Sequence, residues 1–197
     1  MQRELLKVVQ RLLRTELRRR GRRRIRGVAG VAVILVLAVI VYGVDQWLTE
    51  PRMPAPDPGS DLTCALRSVQ DGDTITVRCD EGVLRVRIWG IDAPETEQAP
   101  WGDIATEHFK NLLGNAREVQ VQVVDIDRYG RTVARIFLND RDLGLVMVRD
   151  GQAIVYESFN NSPVYYEAQE QAQQARLGIW SQPGDHQDPP AWRRMNR

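Results

Sequence analysis

The hydrophobic pattern of the chain begins with one long apolar stretch near the N-terminus. Residues 27–44, GVAGVAVILVLAVIVYGV, contain no charged side chain over 18 positions, the lower end of what a helix needs to cross a bilayer. A core helix would show polar positions about every 3.6 residues, and this stretch shows none. The pattern therefore predicts a transmembrane anchor over residues 27–48, in which Trp47 and Leu48 reach the interface.

A shorter apolar pattern precedes the anchor. In residues 1–17, apolar side chains recur at helical spacing at Leu5, Val8, Val9, Leu12 and Leu13. Such a helix could lie along the membrane surface or pack against a partner helix, and the sequence leaves both possibilities open. It identifies no protein partner.

Beyond the anchor, the pattern changes first to a spacer and then to strands. Residues 49–61, TEPRMPAPDPGSD, contain four prolines and predict a linker. From residue 62, the segments LTCALRSVQ, DTITVRC and VLRVRIWGI alternate apolar and polar residues with the period of two that is typical of strands. The segments REVQVQVVDI and RTVARIFL repeat this alternation further along the chain.

Helical spacing predicts three helices among and after these strands. In residues 103–115, one face is apolar. The segment DLGLVMVRDG predicts a short helix that Asp142 caps and Gly151 ends. The segment SPVYYEAQEQAQQARLG predicts another, with Ser162 at its cap and Pro163 in its first turn.

This order of elements predicts an α+β fold. Three strands, a helix, two strands and further helices suit a five-stranded OB-type β-barrel with about three flanking helices, preceded by one transmembrane helix. We expect the folded domain to cover residues 62–180. Residues 181–197 have little apolar content and are expected to form a flexible tail.

The charge distribution adds a topology to this picture. Residues 1–26 contain 11 Arg or Lys and two Glu, a formal charge of +9, whereas the whole chain carries +1, so the remainder carries −8. The run RRRGRRRIR directly precedes the anchor, and positive flanks remain in the cytoplasm. No A-x-A cleavage pattern follows the apolar stretch. We therefore expect an uncleaved single-pass protein with residues 1–26 in the cytoplasm and the domain in the periplasm or outside the cell.

The two cysteines fall where a hairpin would bring them together. If DTIT pairs with RSVQ around a turn between Asp71 and Gly72, cross-strand partners have residue numbers that sum to 143, as Cys64 and Cys79 do. Directly opposed Cβ atoms lie about 4.5–5.5 Å apart, close to the distance in a disulfide. A disulfide would agree with an oxidising compartment, and two separate buried thiols are the alternative.

Candidate chemistry lies in two acidic turns and two arginines. The sequence DGD at residues 71–73 and the sequence DAPE at residues 92–95 would each, alone, be typical of a turn. Arg87 precedes the second turn on the same strand, and Arg131 follows the turn DRYG. Phosphodiester hydrolysis needs metal-binding carboxylates, planar cationic donors and a base for water, and these residues would supply all three.

Four runs together resemble the successive motifs of the staphylococcal nuclease, or thermonuclease-like, family: VQDGDTITV, VRIWGIDAPE, DRYGRTVARIF and ARLGIW. The resemblance covers about residues 62–180 and implies a calcium-dependent endonuclease that hydrolyses DNA or RNA. It implies that Ca²⁺ is held by the carboxylates of Asp73 and Asp92 and by the backbone carbonyl of Ala93. Asp71 would support the same turn.

The resemblance also implies roles for five further residues. Glu95 would activate the attacking water, while Arg87 and Arg131 would hold the phosphate and its transition state. Tyr129 and Tyr156 would lie near the nucleotide.

The loop after the predicted base departs from the lysine-rich loop of the best-known family member. The segment EQAPWGDIATE contains no Lys or Arg, which predicts weak affinity for duplexes because that affinity depends on cationic contacts with phosphates. Single strands, which can stack on Trp89, Trp101 or the tyrosines, are the favoured substrate.

Two other functions are compatible with the sequence. One is a catalytically inactive OB-type module that binds nucleic acid or a protein in the cell envelope. Another is a scaffold for an envelope assembly that makes contact through the helix at residues 5–13. The carboxylates and arginines favour the nuclease, because a binding module needs no carboxylate to activate water.

Overall fold

The structure, a computed structural model, describes residues 52–196. The predicted cytoplasmic segment, amphipathic helix and transmembrane anchor lie outside the described residues. Within residues 52–196, no helix is both long and apolar enough to span a bilayer.

Five strands close into a barrel, as the alternating pattern predicts. They are β1 (Asp61–Val69), β2 (Thr74–Cys79), β3 (Gly82–Ile88), β5 (Glu118–Ile126) and β6 (Thr132–Leu138). Their order is β3-β2-β1-β5-β6, and a parallel pairing of β3 with β6 closes the sheet on itself. Two further short pairings complete the sheets: β7 (Arg141–Asp142) with β6, and β4 (Ile91–Asp92) with β8 (Ile154–Val155).

The described residues form four α-helices beside the barrel: α1 (Trp101–Leu113), α2 (Leu143–Arg149), α3 (Pro163–Gln174) and α4 (Pro189–Met195). The first three correspond to the predicted helices, although α1 begins and ends two residues earlier than the pattern predicts. At the start of α2, the Asp142 carboxylate accepts hydrogen bonds from the backbone N–H groups of Gly144 and Leu145, as expected of a cap.

The core follows from the period-two alternation of the strands. Inward-facing side chains are almost fully buried, among them Ile75, Val77, Val86, Val121 and Ile136. Phe109 of α1 and Met147 of α2 are also fully buried in this cluster. Alternate residues of each strand fill the barrel while the others face outward, which fixes the faces on which functional side chains can lie.

Cys64 and Cys79 form a disulfide across the β1–β2 hairpin, with their Cα atoms 4.4 Å apart. The nearby pair Leu66↔Val77 has the expected register, but pairs closer to the turn are shifted by one residue. A bulge between Leu66 and Ser68 takes up this shift. The turn therefore differs from the expected one, while the cysteines stand opposite each other.

The described part of the proline-rich segment contacts the barrel instead of only spacing it from the anchor. The backbone N–H of Met53 donates a 3.0 Å hydrogen bond to the Val83 carbonyl, and that of Gly59 donates one of 2.8 Å to the Val123 carbonyl. Proline lacks a donor, but the residues between the prolines keep theirs and can pair with the sheet.

In the structure the C-terminal residues 181–196 include helix α4 and contact the rest of the domain, whereas composition predicts a flexible tail. His186 is buried and stacks on Trp101 with 4.3 Å between ring centres. The Gln98 side chain donates a 3.0 Å hydrogen bond to the Asp185 carbonyl. A few polar and aromatic contacts thus fix this segment, and average composition does not reveal them.

Candidate active site

The β1–β2 turn brings Asp73 to the end of β3. The Asp73 carbonyl accepts a 2.7 Å hydrogen bond from the Ile88 N–H, and its own N–H donates to the Asp71 carboxylate at 3.0 Å. Gly72 allows the turn to approach closely, because a Cβ there would come within 2.7 Å of the Ala93 Cβ. The two acidic turns of the sequence are therefore packed together.

Arg87 bridges the two predicted metal-binding aspartates. Its guanidinium donates to Asp73 Oδ1 at 3.2 Å and to Asp92 Oδ1 at 2.7 Å. The side chains of Asp73 and Asp92 are 6% and 0% exposed, so both carboxylates are almost completely removed from water. A buried carboxylate needs a positive partner, and Arg87 serves both.

Burial controls the protonation of these groups. Burial raises the pKa of Asp73 to about 6, against the opposing effect of the Arg87 charge. Burial also raises the pKa of Asp92, opposed by hydrogen bonds from Arg193. For Arg87, burial disfavours the charged form, but the charges of Asp73 and Asp92 raise its pKa overall. Because burial disfavours the charged form of both carboxylates, a cation in direct contact stabilises that form.

Glu95 lies just beyond this pair, on a turn that is held by two hydrogen bonds between Glu95 and Gln98. The Glu95 N–H donates to the Gln98 side-chain oxygen at 2.8 Å, and the Gln98 N–H donates to the Glu95 carbonyl at 2.9 Å. The Ala93 N–H donates to Asp73 Oδ2 at 3.3 Å. The Glu95 side chain remains 32% exposed, so water and a substrate can reach it.

Arg193, from the last helix, joins the site, and sequence reasoning missed it. Its guanidinium donates to both oxygens of Asp92, at 3.1 Å and 2.5 Å, and to Glu95 Oε1 at 2.5 Å. A local signal for the helix exists: the Asp188 side chain caps α4 by accepting from the Ala191 N–H at 2.8 Å, and Pro189 occupies the first turn. Nothing in the sequence indicates where that helix docks.

Arg131 and Tyr129 form a second group at the turn between β5 and β6. The Arg131 guanidinium and backbone N–H donate to the Asp127 carboxylate at 2.6 Å and 2.9 Å. The Arg131 guanidinium lies 5.7 Å from the centre of the Tyr129 ring, and Tyr129 is 65% exposed. In the structure Arg131 therefore pairs with Asp127, while Arg87 pairs with the site aspartates.

Tyr156 adjoins the main site. Its ring centre lies 6.0 Å from the Arg87 guanidinium, and its backbone N–H donates to the Gly90 carbonyl at 2.9 Å. Its ring is 5.1 Å from that of Phe159, which is largely exposed. The two rings form an aromatic surface beside the arginine.

The structure therefore joins most, but not all, of the predicted site residues. Those in direct or near contact are Asp73, Arg87, Asp92, Ala93, Glu95 and Tyr156. The arrangement offers buried carboxylate oxygens that could bind a cation and the Arg87 guanidinium beside them as a hydrogen-bond donor. It also offers the accessible Glu95 carboxylate for proton transfer.

Comparisons with known proteins agree with these motifs. A family model described as staphylococcal nuclease homologue matches residues 85–182. An uncharacterized endonuclease of Escherichia coli O157:H7 is 38% identical over 126 residues, which cover 64% of this chain and 80% of that protein. A micrococcal nuclease of Shigella flexneri is 29% identical over 86% of this chain and 95% of its own length. A thermonuclease of Staphylococcus hyicus is 29% identical over 76% of this chain and 95% of its own length.

Proposed function

The chain belongs to the staphylococcal nuclease homologue family, and from that premise we propose that it is a calcium-dependent nuclease that hydrolyses phosphodiester bonds of DNA or RNA. Its relatives include proteins named endonuclease, micrococcal nuclease and thermonuclease. The observation that carries the proposal is the position of Arg87 between two buried aspartates, with Glu95 accessible beside them. Burying two carboxylates is energetically costly, which favours a functional role for this arrangement.

The donor set fits calcium. Asp73 and Asp92 would supply carboxylates and Ala93 a backbone carbonyl, which are the hard oxygen ligands that calcium prefers. Among the described residues, no three His, Cys, Asp or Glu side chains form a ready metal cluster, so these carboxylates would share the ion with the carbonyl, water and substrate. Arg87 contacts both Asp73 and Asp92, and Arg193 contacts Asp92 as well. These contacts indicate that the two carboxylates attract positive charge, as a cation site must.

The proposed reaction assigns a separate task to each side chain. A bound calcium ion would polarise a phosphoryl oxygen. Glu95 accepts the proton of the attacking water, since its side chain is 32% exposed beside the buried aspartates and water can reach it. Arg87 donates hydrogen bonds to phosphate oxygens as negative charge develops, and Arg131 does so from the neighbouring turn.

Single-stranded nucleic acid is the proposed preferred substrate. Aromatic side chains near the arginines are exposed and can stack with bases: Tyr129 is 65% exposed and Phe159 is 62% exposed. The loop after Glu95 lacks Lys and Arg, so a duplex finds few cationic contacts there. We further propose that residues 27–48 anchor the nuclease domain on the outer side of a membrane, as the apolar stretch and its basic flank suggest.

A digestion experiment tests the proposal. The purified full chain is incubated with end-labelled single-stranded and duplex DNA and RNA, in calcium or in excess chelator, with Asp73→Asn/Asp92→Asn as the control. We expect cleavage by the unmodified chain in calcium alone, faster on single strands. Binding of all substrates without cleavage under any condition would favour the inactive binding module instead.

A further inference from the structure

The C-terminal helix places a cation on the residues that would hold calcium and activate water. Arg193 lies 101 residues from Asp92 in sequence and 98 from Glu95, yet its guanidinium contacts both carboxylates. Both oxygens of Asp92 accept hydrogen bonds from it. The side chain is only 19% exposed, so this is not a loose surface ion pair.

We propose that Arg193 is an intramolecular competitor of calcium: α4 closes the site with its guanidinium, and metal binding requires that guanidinium to leave Asp92. This inference rests on the proposed function of the same site. It adds a regulatory element that lies outside residues 85–182, the part that the family model matches.

The contacts of Asp92 favour exchange over joint occupancy. Arg193 donates to both Asp92 oxygens, at 3.1 Å and 2.5 Å, and Arg87 donates to Oδ1 at 2.7 Å. The Asp92 side chain is fully buried, so a metal ion on this carboxylate would meet the Arg193 guanidinium in a space where repulsion between cations is weakly screened. If Arg193 withdraws, Oδ2 of Asp92 loses its guanidinium contact and can bind the ion.

The Arg193 guanidinium also contacts Glu95, the predicted base. Glu95 Oε1 accepts a hydrogen bond from Arg193 at 2.5 Å, so the guanidinium occupies the position that an attacking water would take beside this oxygen. Although burial acts against the charged guanidinium, hydrogen bonds to Asp92 and Glu95 raise the pKa of Arg193, so it stays charged. In the closed form Arg193 thus holds both oxygens of Asp92, a proposed metal ligand, and one oxygen of Glu95, the proposed base.

Apart from the Arg193 contacts themselves, few contacts hold α4 in the closed form. Helix α4 has seven residues, its cap is the exposed Asp188 side chain, and the stack of His186 on Trp101 fixes the segment before it. Short terminal elements with few contacts open at low free-energy cost. Release of α4 alone would free Asp92 and Glu95 without disturbing the barrel.

Calcium titration tests the competition without relying on activity. Calorimetry on the purified full chain compares the unmodified protein, Arg193→Ala and the matched control Arg194→Ala, whose side chain is exposed on the same helix. A site closed about nine-tenths of the time loses about tenfold in apparent affinity. We therefore expect Arg193→Ala to bind calcium at least about tenfold more tightly, and Arg194→Ala to match the unmodified chain.

A second readout uses the unmodified chain. Amide hydrogen exchange in residues 191–195 of α4, those that follow its two prolines, should rise when calcium is added and should not rise with an equal ionic strength of sodium chloride. Equal calcium affinity in Arg193→Ala and the unmodified chain, or unchanged exchange in α4 when calcium is bound, overturns the competition but leaves the nuclease proposal standing. Absence of calcium binding in every variant overturns both.

Discussion

The Arg87 guanidinium donates a 2.7 Å hydrogen bond to the buried carboxylate of Asp92, which follows it by five residues across the end of β3. The same guanidinium reaches both oxygens of Asp73, at 3.2 Å and 3.1 Å. Because one planar group serves two carboxylates, its shape matters as well as its charge.

Replacement of either proposed phosphate-binding arginine by lysine should not preserve activity. An ammonium group cannot present two parallel donors, so Arg87→Lys and Arg131→Lys should each lower kcat by roughly 10²–10³, close to the effect of alanine. Steady-state kinetics on a single-stranded substrate would measure this. Near-normal kcat in the double lysine variant would mean that a point charge is sufficient.

Glu95→Gln should abolish most turnover while leaving binding intact. The amide keeps the size of the side chain and an oxygen for Arg193 but cannot take a proton, and general-base catalysis is worth about 10²–10⁴ in rate. Single-turnover rates and calcium affinity would be compared with those of Glu97→Gln, a nearby exposed control. A normal rate in Glu95→Gln would exclude it as the base.

The order of the Arg131 turn should depend on acid pH. Partial burial acts to raise the pKa of Asp127, but hydrogen bonds from the Arg131 and Tyr129 groups outweigh it and lower that pKa below its ordinary value. A depressed folded-state pKa stabilises the turn at pH values above the unfolded value, about 3.9, and this contribution is lost as pH falls through the folded value. NMR titration of the Arg131 Nε–H signal should show its change below about pH 3.9. A midpoint above that value would contradict the assignment, and Asp127→Asn should remove the transition.

Asp142 should be a major determinant of stability. Its carboxylate accepts hydrogen bonds from the Tyr165 hydroxyl and from Arg135, both at 2.7 Å, besides capping α2. Asp142→Ala leaves a buried hydroxyl and a partly buried cation unpaired, so we expect a loss of about 2–4 kcal/mol in the free energy of unfolding. Urea denaturation would measure it against Asp80→Ala, an exposed turn control. A loss below about 1 kcal/mol would contradict this role.

The topology proposal predicts an exported domain with an intact disulfide. A reporter that is active only in an oxidising exterior, fused after Arg197, should be active and remain with membranes, and removal of residues 1–48 should release it. In the same preparation, Cys64 and Cys79 should resist thiol labelling until reduced. An inactive reporter would place the domain in the cytoplasm.

Local chemistry determined much of this protein from the sequence. Period-two alternation is a property of each strand by itself, so the five barrel strands follow from it, and a cap such as Asp142 acts on its own helix. The register that opposes Cys64 and Cys79 was also accessible, although the bulge in β1 was not. The roles of the residues from Asp73 to Glu95 come from the resemblance of their short, ordered motifs to the staphylococcal nuclease family, because each acidic turn alone is typical of any turn.

Only the tertiary structure decided which cations meet which carboxylates. Arg131 pairs with Asp127 of its own turn, while Arg193 comes from a helix about a hundred residues away to cover Asp92. Charge pairing has no sequence period, and a long side chain can reach any oppositely charged group that packing brings near. The docking of α4 depends on a few specific contacts, such as His186 on Trp101, whose energies appear only once the chain has folded.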